Sequence, residues 1–439
     1  MEDLKFVIIG GGSSYTPELI EGLIERHRTL KASEVVLADI PEGAEKLHII
    51  KELSERMVKR SGIDMKISAV MDRRQALAGA DYVITQFRVG GLDARSSDEK
   101  IPLKYDTVGQ ETTGPGGFAK ALRTVPVILE IARDMEELCP DAWLINFANP
   151  SGILTEAVNN HTSIKCIGLC NVPINMERYV AEQLKASVER IYCEFVGLNH
   201  LSWIKKIYVD GMDKTDALFK QPLFQESILK NIPAVKGSRE LINILKLIPS
   251  PYLDYYYFEK EMVREEKEAL DKGLGTRADK VKQVEKELFD IYKDPGLNIK
   301  PQQLSERGGS LYSEAALSLI ESIHNDRGAI HVVNVSNKGA ISDLSEDSVI
   351  ETNCIVNKSG AHPIATGRLP QVIRSLVIAV KQYEKYTIAA AVNGDREAAF
   401  KALLNHPLVH GADVAQQLLD ELLEANKKFL PIFFGGVKA

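Results

Sequence analysis

Four groups of residues in this chain carry side chains able to do chemistry together. Gly10-Gly11-Gly12-Ser13 follows the apolar run Phe6-Val7-Ile8-Ile9. Cys170-Asn171 stands at the end of another apolar run, and Asn199-His200 comes 30 residues after the cysteine. Tyr252 opens the aromatic stretch Tyr252-Leu253-Asp254-Tyr255-Tyr256-Tyr257-Phe258. A nicotinamide site joined to a Cys/His metal site and a tyrosine suggests oxidation used inside another reaction, rather than oxidation as the product.

Each group has its own chemical reason. Backbone N–H groups of a glycine loop can approach a pyrophosphate at a helix start, where the dipole favours an anion. That start is Thr16-Pro17-Glu18-Leu19, with Pro17 at a favourable first-turn position. Asp39 follows the second apolar run, where a carboxylate accepts from an adenosine ribose hydroxyl and repels a 2′-phosphate. This predicts NAD rather than NADP. The usual third glycine is missing, and Tyr15 stands in its place.

Cys170 and His200 are candidate metal ligands. Two ligands do not close a structural site, so substrate and water would complete the shell. Ligand softness alone points to zinc or iron. A core cysteine and a hydrogen-bonded histidine is the plainer reading of this pair alone. A tyrosine acts as a base only when a cation draws its pKa down from ~10, which a bound ion would do for Tyr252. Glu111, in Gly109-Gln110-Glu111-Thr112, is a candidate to orient or activate such a base, or else a solvated loop acid. Arg95 and Arg277 are candidate oxyanion ligands, because a guanidinium fork matches phosphate; any single arginine is otherwise an ordinary surface residue.

These groups need elements to position them. Strand patterns at Phe6–Ile9, Glu34–Ala38, Met65–Val70, Asp81–Gln86, Ala142–Asn146 and Ile164–Cys170 alternate with helical patterns over residues 42–60 and 117–138. Right-handed crossovers turn this rhythm into an α/β fold: a Rossmann-like, doubly wound parallel sheet, with sites at the C-terminal ends of its strands. Asp39, Gln86, Asn146, Asn149 and Cys170 all fall at or just past such ends. The remainder is mixed α+β. Strands are expected within 194–210 and at Ile330–Val335, and a charged, exposed helix over 259–291. Helix faces are expected at Leu311, Ala315, Leu319 and Ile323, at Val372, Leu376, Val380 and Tyr383, and over 411–428. The expected division is a dinucleotide-binding domain over residues 1–195 fused to a substrate and metal domain over residues 196–439, as in lactate/malate dehydrogenases.

Composition sets limits. With 439 residues, two closely packed domains are more natural than one, and 44% hydrophobic with 26% charged residues is ordinary for a soluble enzyme. A net charge of -7 gives no support to nucleic-acid binding. It also disfavours an anionic substrate at long range, so phosphate must be handled by a few local arginines and backbone amides. The start, Met1-Glu2-Asp3-Leu4-Lys5, lacks the basic and apolar regions of a signal peptide, and no apolar run reaches the ~20 residues needed to span a bilayer. Five scattered cysteines argue against a disulfide framework and for a reducing cytoplasm.

Taken together, the motifs identify a resemblance over nearly the whole chain. They are Gly10–Ser13, Ile101–Tyr105, Val108–Thr112 with Gly114–Gly117, Asn146–Pro150, Cys170-Asn171, Gly197–His200 and Tyr252–Tyr256. In these the chain resembles the family 4 glycoside hydrolases, NAD- and divalent-metal-dependent glycosidases that depart from the usual two-carboxylate mechanism. The resemblance implies Cys170 and His200 as ligands of Mn²⁺ or another divalent metal, and Tyr252 as the base, made more basic by Glu111. It implies Arg95, Asn149 and Arg277 at substrate-binding positions. Family members acting on α-linked phosphosugars carry an aspartic acid directly after the cysteine. Asn171 stands there in this chain, as in the β-type members, and it leaves the leaving-group acid unassigned.

The implied reaction is hydrolysis of a phosphorylated β-glucoside, a small molecule, to glucose 6-phosphate and aglycone. It runs through NAD-mediated oxidation at C3, deprotonation at C2, elimination, water addition and return of the hydride. No membrane or nucleic-acid partner is expected; a homo-oligomer, dimer or tetramer, is. The alternative is a conventional NAD-dependent hydroxyacid dehydrogenase, which uses a catalytic histidine and no thiolate metal.

Overall fold

In the first strand, alternation places Phe6 and Ile8 on one face and Val7 and Ile9 on the other, and both faces are buried. A strand buried on both sides is the mark of a sheet covered by helices, and each such side chain contributes about 1.5–3 kcal/mol on leaving water. The computed structural model of this protein describes residues 3–220, 238–307 and 311–436; Met1 and Glu2 of the polar start lie outside them.

Its strands are β1 (Leu4–Ile9), β2 (Ala32–Ala38), β3 (Lys66–Val70), β4 (Tyr82–Thr85), β5 (Trp143–Asn146), β6 (Lys165–Gly168), β7 (Ile191–Leu198), β8 (Leu201–Val209), β9 (Met212–Asp213), β10 (Ile248–Pro249), β11 (Ala329–Ser336), β12 (Val349–Asn357) and β13 (Gly360–Pro363). Nine of them form one sheet in the order β13-β12-β11-β6-β5-β4-β1-β2-β3. The six from β1 to β6 pair in parallel, as the strand-helix rhythm predicts. Antiparallel β11, β12 and β13 extend that sheet from the second half of the chain. Residue 195 falls inside β7, so the two halves share a sheet instead of meeting at a linker.

The helices Thr16–Glu25, Ala44–Ser61 and Tyr312–His324 cover the Phe6/Ile8 face. Gly114–Leu138, Ser151–His161 and Gln371–Asn393 cover the other. A third apolar cluster joins β7, β8 and the helix Val172–Gln183 to the aromatic run, through Phe195, Ile204, Met176 and Tyr255. Asn353 of β12 ties this layer to the main sheet, accepting from Phe195 N at 2.8 Å and donating to Cys193 O at 2.9 Å.

Several expectations need adjustment. The charged stretch 259–291 is not one helix. It breaks into Glu259–Asp271 and Arg277–Tyr292, because Gly273 and Gly275 take positive φ between them. The break puts Arg277 in a first turn, under a capping box from Thr276 and Asp279. β6 ends at Gly168, so Cys170 lies past the strand, just before the helix Val172–Gln183. On the helix Gln371–Asn393 the buried face runs through Ile373, Val377, Val380 and Tyr383, and Val372 is exposed. Cys139, Cys166, Cys193 and Cys354 are buried free thiols, and Cys170 is half-buried. Among the described residues no helix is long and apolar enough to cross a membrane.

Candidate active site at the strand ends

The glycine loop leaves β1 in a tight turn. Gly10 has φ +82, and a Cβ there would lie 2.9 Å from the Phe87 backbone. Gly10 N and Gly11 N both donate to Ala38 O at 2.9 Å. Asp39 braces the loop: its Oδ2 accepts from Gly12 N at 2.8 Å. Thr16 Oγ1 donates to Gly11 O at 2.8 Å, and Gln86 Nε2 donates to Thr16 Oγ1 at 2.7 Å. Ser13 sits between the loop and the first helix. Tyr15 is stacked 5.4 Å from Tyr312, which stacks 3.9 Å from Phe147, so an aromatic wall stands beside the loop.

Cys170, His200 and Tyr252 come together from three separate stretches. Cys170 Sγ is 3.4 Å from His200 Nε2. The His200 ring lies flat on the Tyr252 ring, with centroids 3.7 Å apart and planes 2° from parallel. His200 turns the β7–β8 hairpin with φ +61, a costly conformation for a non-glycine residue and one that gathers at functional sites. The Cys170 sulfur accepts from the Val172 and Asn171 backbone N–H groups and from the Asn199 side chain.

Burial, then the charge of Glu351, pushes the Cys170 thiol up to about 12. Burial and Lys120 pull the His200 imidazole down to about 3. Burial, Cys170 and Glu111 raise the Tyr252 phenol above its ordinary value. A neutral histidine nitrogen beside a sulfur 3.4 Å away suits a shared divalent ion, which also favours the thiolate. Among the described residues no third His, Cys, Asp or Glu joins the pair. Two protein ligands would leave room for substrate and water on a shared ion.

Glu111 is 7% exposed and surrounded by cations. Arg88 pairs with it, Arg95 Nη1 is 2.9 Å from Oε1, and Lys120 Nζ is 2.8 Å from Oε2. Burial alone would raise its carboxyl, but Arg88, Arg95 and Lys120 outweigh that and hold it well below the usual range. Burial and Arg88 draw the Lys120 ammonium down to about 7. The turn carrying Glu111 is held by Gln110 Oε1, which accepts from Thr113 N and Thr112 Oγ1, each at 2.9 Å. Thr112 in turn hydrogen-bonds Tyr252.

Arg95 is shared between Glu111 and Glu99, with Nε 2.7 Å from Glu99 Oε1. Arg277 faces this pair. Burial and the like charge of Arg95 weaken its hold on its proton, while Tyr15 and Glu99 oppose that. Two guanidiniums converging in this way suit an anion. Among the described residues nothing hydrogen-bonds the buried Asn149 Oδ1, which leaves an acceptor that a ligand could satisfy. Asn171 begins the helix beside Cys170.

Sequence reasoning did not single out Arg88, Lys120, Thr112, Tyr312 or Glu351. Arg88, three residues past β4, carried a signal in its place at a strand end. Lys120 lies inside a long helix and Glu351 inside a strand, where periodicity marks only burial.

A model of the "Family 4 glycosyl hydrolase" matches residues 5–186, and one of the "Family 4 glycosyl hydrolase C-terminal domain" matches residues 195–409. The chain is 49% identical to a "Probable 6-phospho-beta-glucosidase" of Bacillus subtilis over 439 residues, covering 99% of each. A solved structure of the 6-phospho-beta glucosidase of Thermotoga maritima, holding manganese, NAD+ and glucose-6-phosphate, superposes with a TM-score of 0.87 at 39% identity, over 97% of this chain and 99% of that one. Malate dehydrogenase of Plasmodium falciparum shares the fold alone, with a TM-score of 0.51 at 13% identity over 89% of this chain and 99% of its own.

Proposed function

This chain belongs to the family 4 glycosyl hydrolases, and from that premise we propose that it hydrolyses 6-phospho-β-glucosides to glucose 6-phosphate and the aglycone. When bound, NAD and a divalent cation, manganese in the Thermotoga relative, supply hydride exchange at C3 and polarisation of the oxygen there, which makes the C2 proton acidic and lets the aglycone leave by elimination.

The chain's own residues have these tasks. Gly10, Gly11, Gly12 and Ser13 hold the pyrophosphate, and Asp39 the ribose. Cys170 and His200 hold the cation, so manganese replaces the zinc or iron that ligand softness alone suggests. Tyr252 removes the C2 proton and returns one there later. Glu111 makes the phenolate more basic, in line with the rise its charge causes. Arg95, Arg277 and Asn149 hold the phosphosugar. Asn171 touches it without donating a proton. The dinucleotide lies on residues 1–195, and the phosphosugar is held from both halves, by Arg95, Asn149 and Asn171 of the first and Arg277 of the second. We further propose a cytoplasmic homo-oligomer.

The observation that carries this reading is the stack of Tyr252 on His200, itself 3.4 Å from Cys170: base and ligand form one rigid unit. The test is turnover of nitrophenyl 6-phospho-β-glucoside in heavy water, with NAD⁺ and Mn²⁺. Deuterium should enter C2 of the glucose 6-phosphate, and free NADH should not build up with product. Tyr252→Phe should lower kcat about 10²–10⁴-fold, as loss of a general base does, with NAD⁺ binding kept. One NADH per turnover would instead establish a dehydrogenase, and wild-type rates in Tyr252→Phe would remove the tyrosine from the reaction.

A further inference from the structure

Glu351, in β12, is 1% exposed and has no Lys, Arg or His in an ion pair with it among the described residues. Its partners are neutral. Asn199 Nδ2 donates to Oε1 at 3.0 Å, Ser202 Oγ to Oε2 at 2.7 Å, and Asn334 Nδ2 to Oε1 at 3.5 Å. These bonds satisfy its lone pairs without neutralising its charge. A buried carboxylate in that state is costly unless a cation comes from elsewhere.

The link to Cys170 shows where such a cation belongs. The Asn199 side chain that donates to Glu351 also hydrogen-bonds the Cys170 sulfur, and the carboxylate opposes ionisation of that thiol. Asn199 directly precedes His200 in the hairpin turn, so one residue connects the carboxylate, the thiol and the imidazole. A thiolate and a carboxylate together balance a divalent ion.

Building on the Cys170–His200 reading above, we propose that Glu351 is the outer carboxylate of the cation site, a positioning residue that acts through Asn199 and sets the affinity for a divalent ion. Ligands and their supporting groups are coupled in this way at metal sites, where loss of the outer group weakens binding about 10–100-fold.

The experiment is a Mn²⁺ titration of the full chain, read by the magnetic resonance signal of free Mn²⁺, with NAD⁺ affinity measured in parallel. Glu351→Gln keeps the shape and removes the charge. It should weaken Mn²⁺ binding about 10–100-fold and leave NAD⁺ affinity within twofold, and Glu351→Asp should recover some of the loss. A Glu351 that is simply protonated behaves like its amide, so unchanged Mn²⁺ affinity in folded Glu351→Gln overturns the proposal. If that variant does not fold, Asn199→Ala decides: it cuts the link, and wild-type Mn²⁺ affinity there overturns it equally. Mn²⁺ binding that survives Cys170→Ser overturns the site reading itself, a different failure.

Discussion

Two buried carboxylates flank the Cys170–His200–Tyr252 unit, and their surroundings are opposite. Glu111 sits among Arg88, Arg95 and Lys120, with Arg277 facing Arg95 and Glu99 on the acidic side. Glu351 has Asn199, Ser202 and Asn334 and, among the described residues, no cation. One side of the cleft carries surplus positive charge and the other an unbalanced negative one. The phosphate and the divalent ion of the proposed reaction are the two charges that this arrangement lacks. In the proposed reaction the ligands complete this charge balance, which would keep affinity local in a chain whose net charge of -7 repels anions from afar.

The sharpest way to break the contrast is to remove the crowded carboxylate. Glu111→Gln takes the counterion from Arg88 and the buried Lys120 and leaves Arg95 with Glu99 alone. It should cost about 3–5 kcal/mol of stability, as loss of one member of a buried pair does, measured by denaturant unfolding. Activity should fall with it, since the phenolate of Tyr252 loses the charge that raises its basicity. A variant with wild-type stability would mean the three cations have other counterions.

Next in size is Arg277→Ala, which tests whether the surplus positive charge serves the phosphate. KM for a 6-phospho-β-glucoside should rise by the equivalent of about 1.5–3 kcal/mol, the worth of a charged hydrogen bond, with kcat changed far less. A KM within twofold of wild type would take Arg277 out of the phosphate site.

The smallest effect concerns pH in the metal-free protein, where the two carboxylates should act with opposite sign. Glu111 holds its proton more weakly than in the unfolded chain, so its stabilisation is present above the ordinary carboxylate range and is lost as pH falls toward the folded value. Burial raises Glu351, so its ionisation costs nothing below that range and increasingly destabilises the fold as pH rises through it. With chelator present, Glu351→Gln should therefore shift the unfolding midpoint upward at pH 8 and leave it unchanged near pH 4. Equal shifts at both values would show that its charge is not the cause.

The parallel core was legible from residue order because alternating strand and helix patterns constrain connection and hand. The glycine loop, Asp39 and the strand-end position of Asn149 came with it, for the same reason. That Cys170, His200 and Tyr252 lie together was suggested only by matching motifs, since 30 residues between Cys170 and His200, and 52 between His200 and Tyr252, imply no distance. Val372 was misplaced by one step because neighbouring apolar residues let a helix face rotate, and the helix break at Gly273 and Gly275 was hidden under continuous charge.

By itself the sequence determined the local elements, their order and the kinds of chemistry the chain can perform, because those follow from propensity, periodicity and side-chain type. Tertiary structure alone decided that β11, β12 and β13 extend the sheet beside β6, that His200 lies flat on Tyr252, and that Glu111 gathers three cations while Glu351, among the described residues, gathers none. These are long-range facts. They depend on which strand edges pair and which buried charges meet, and no local pattern encodes either.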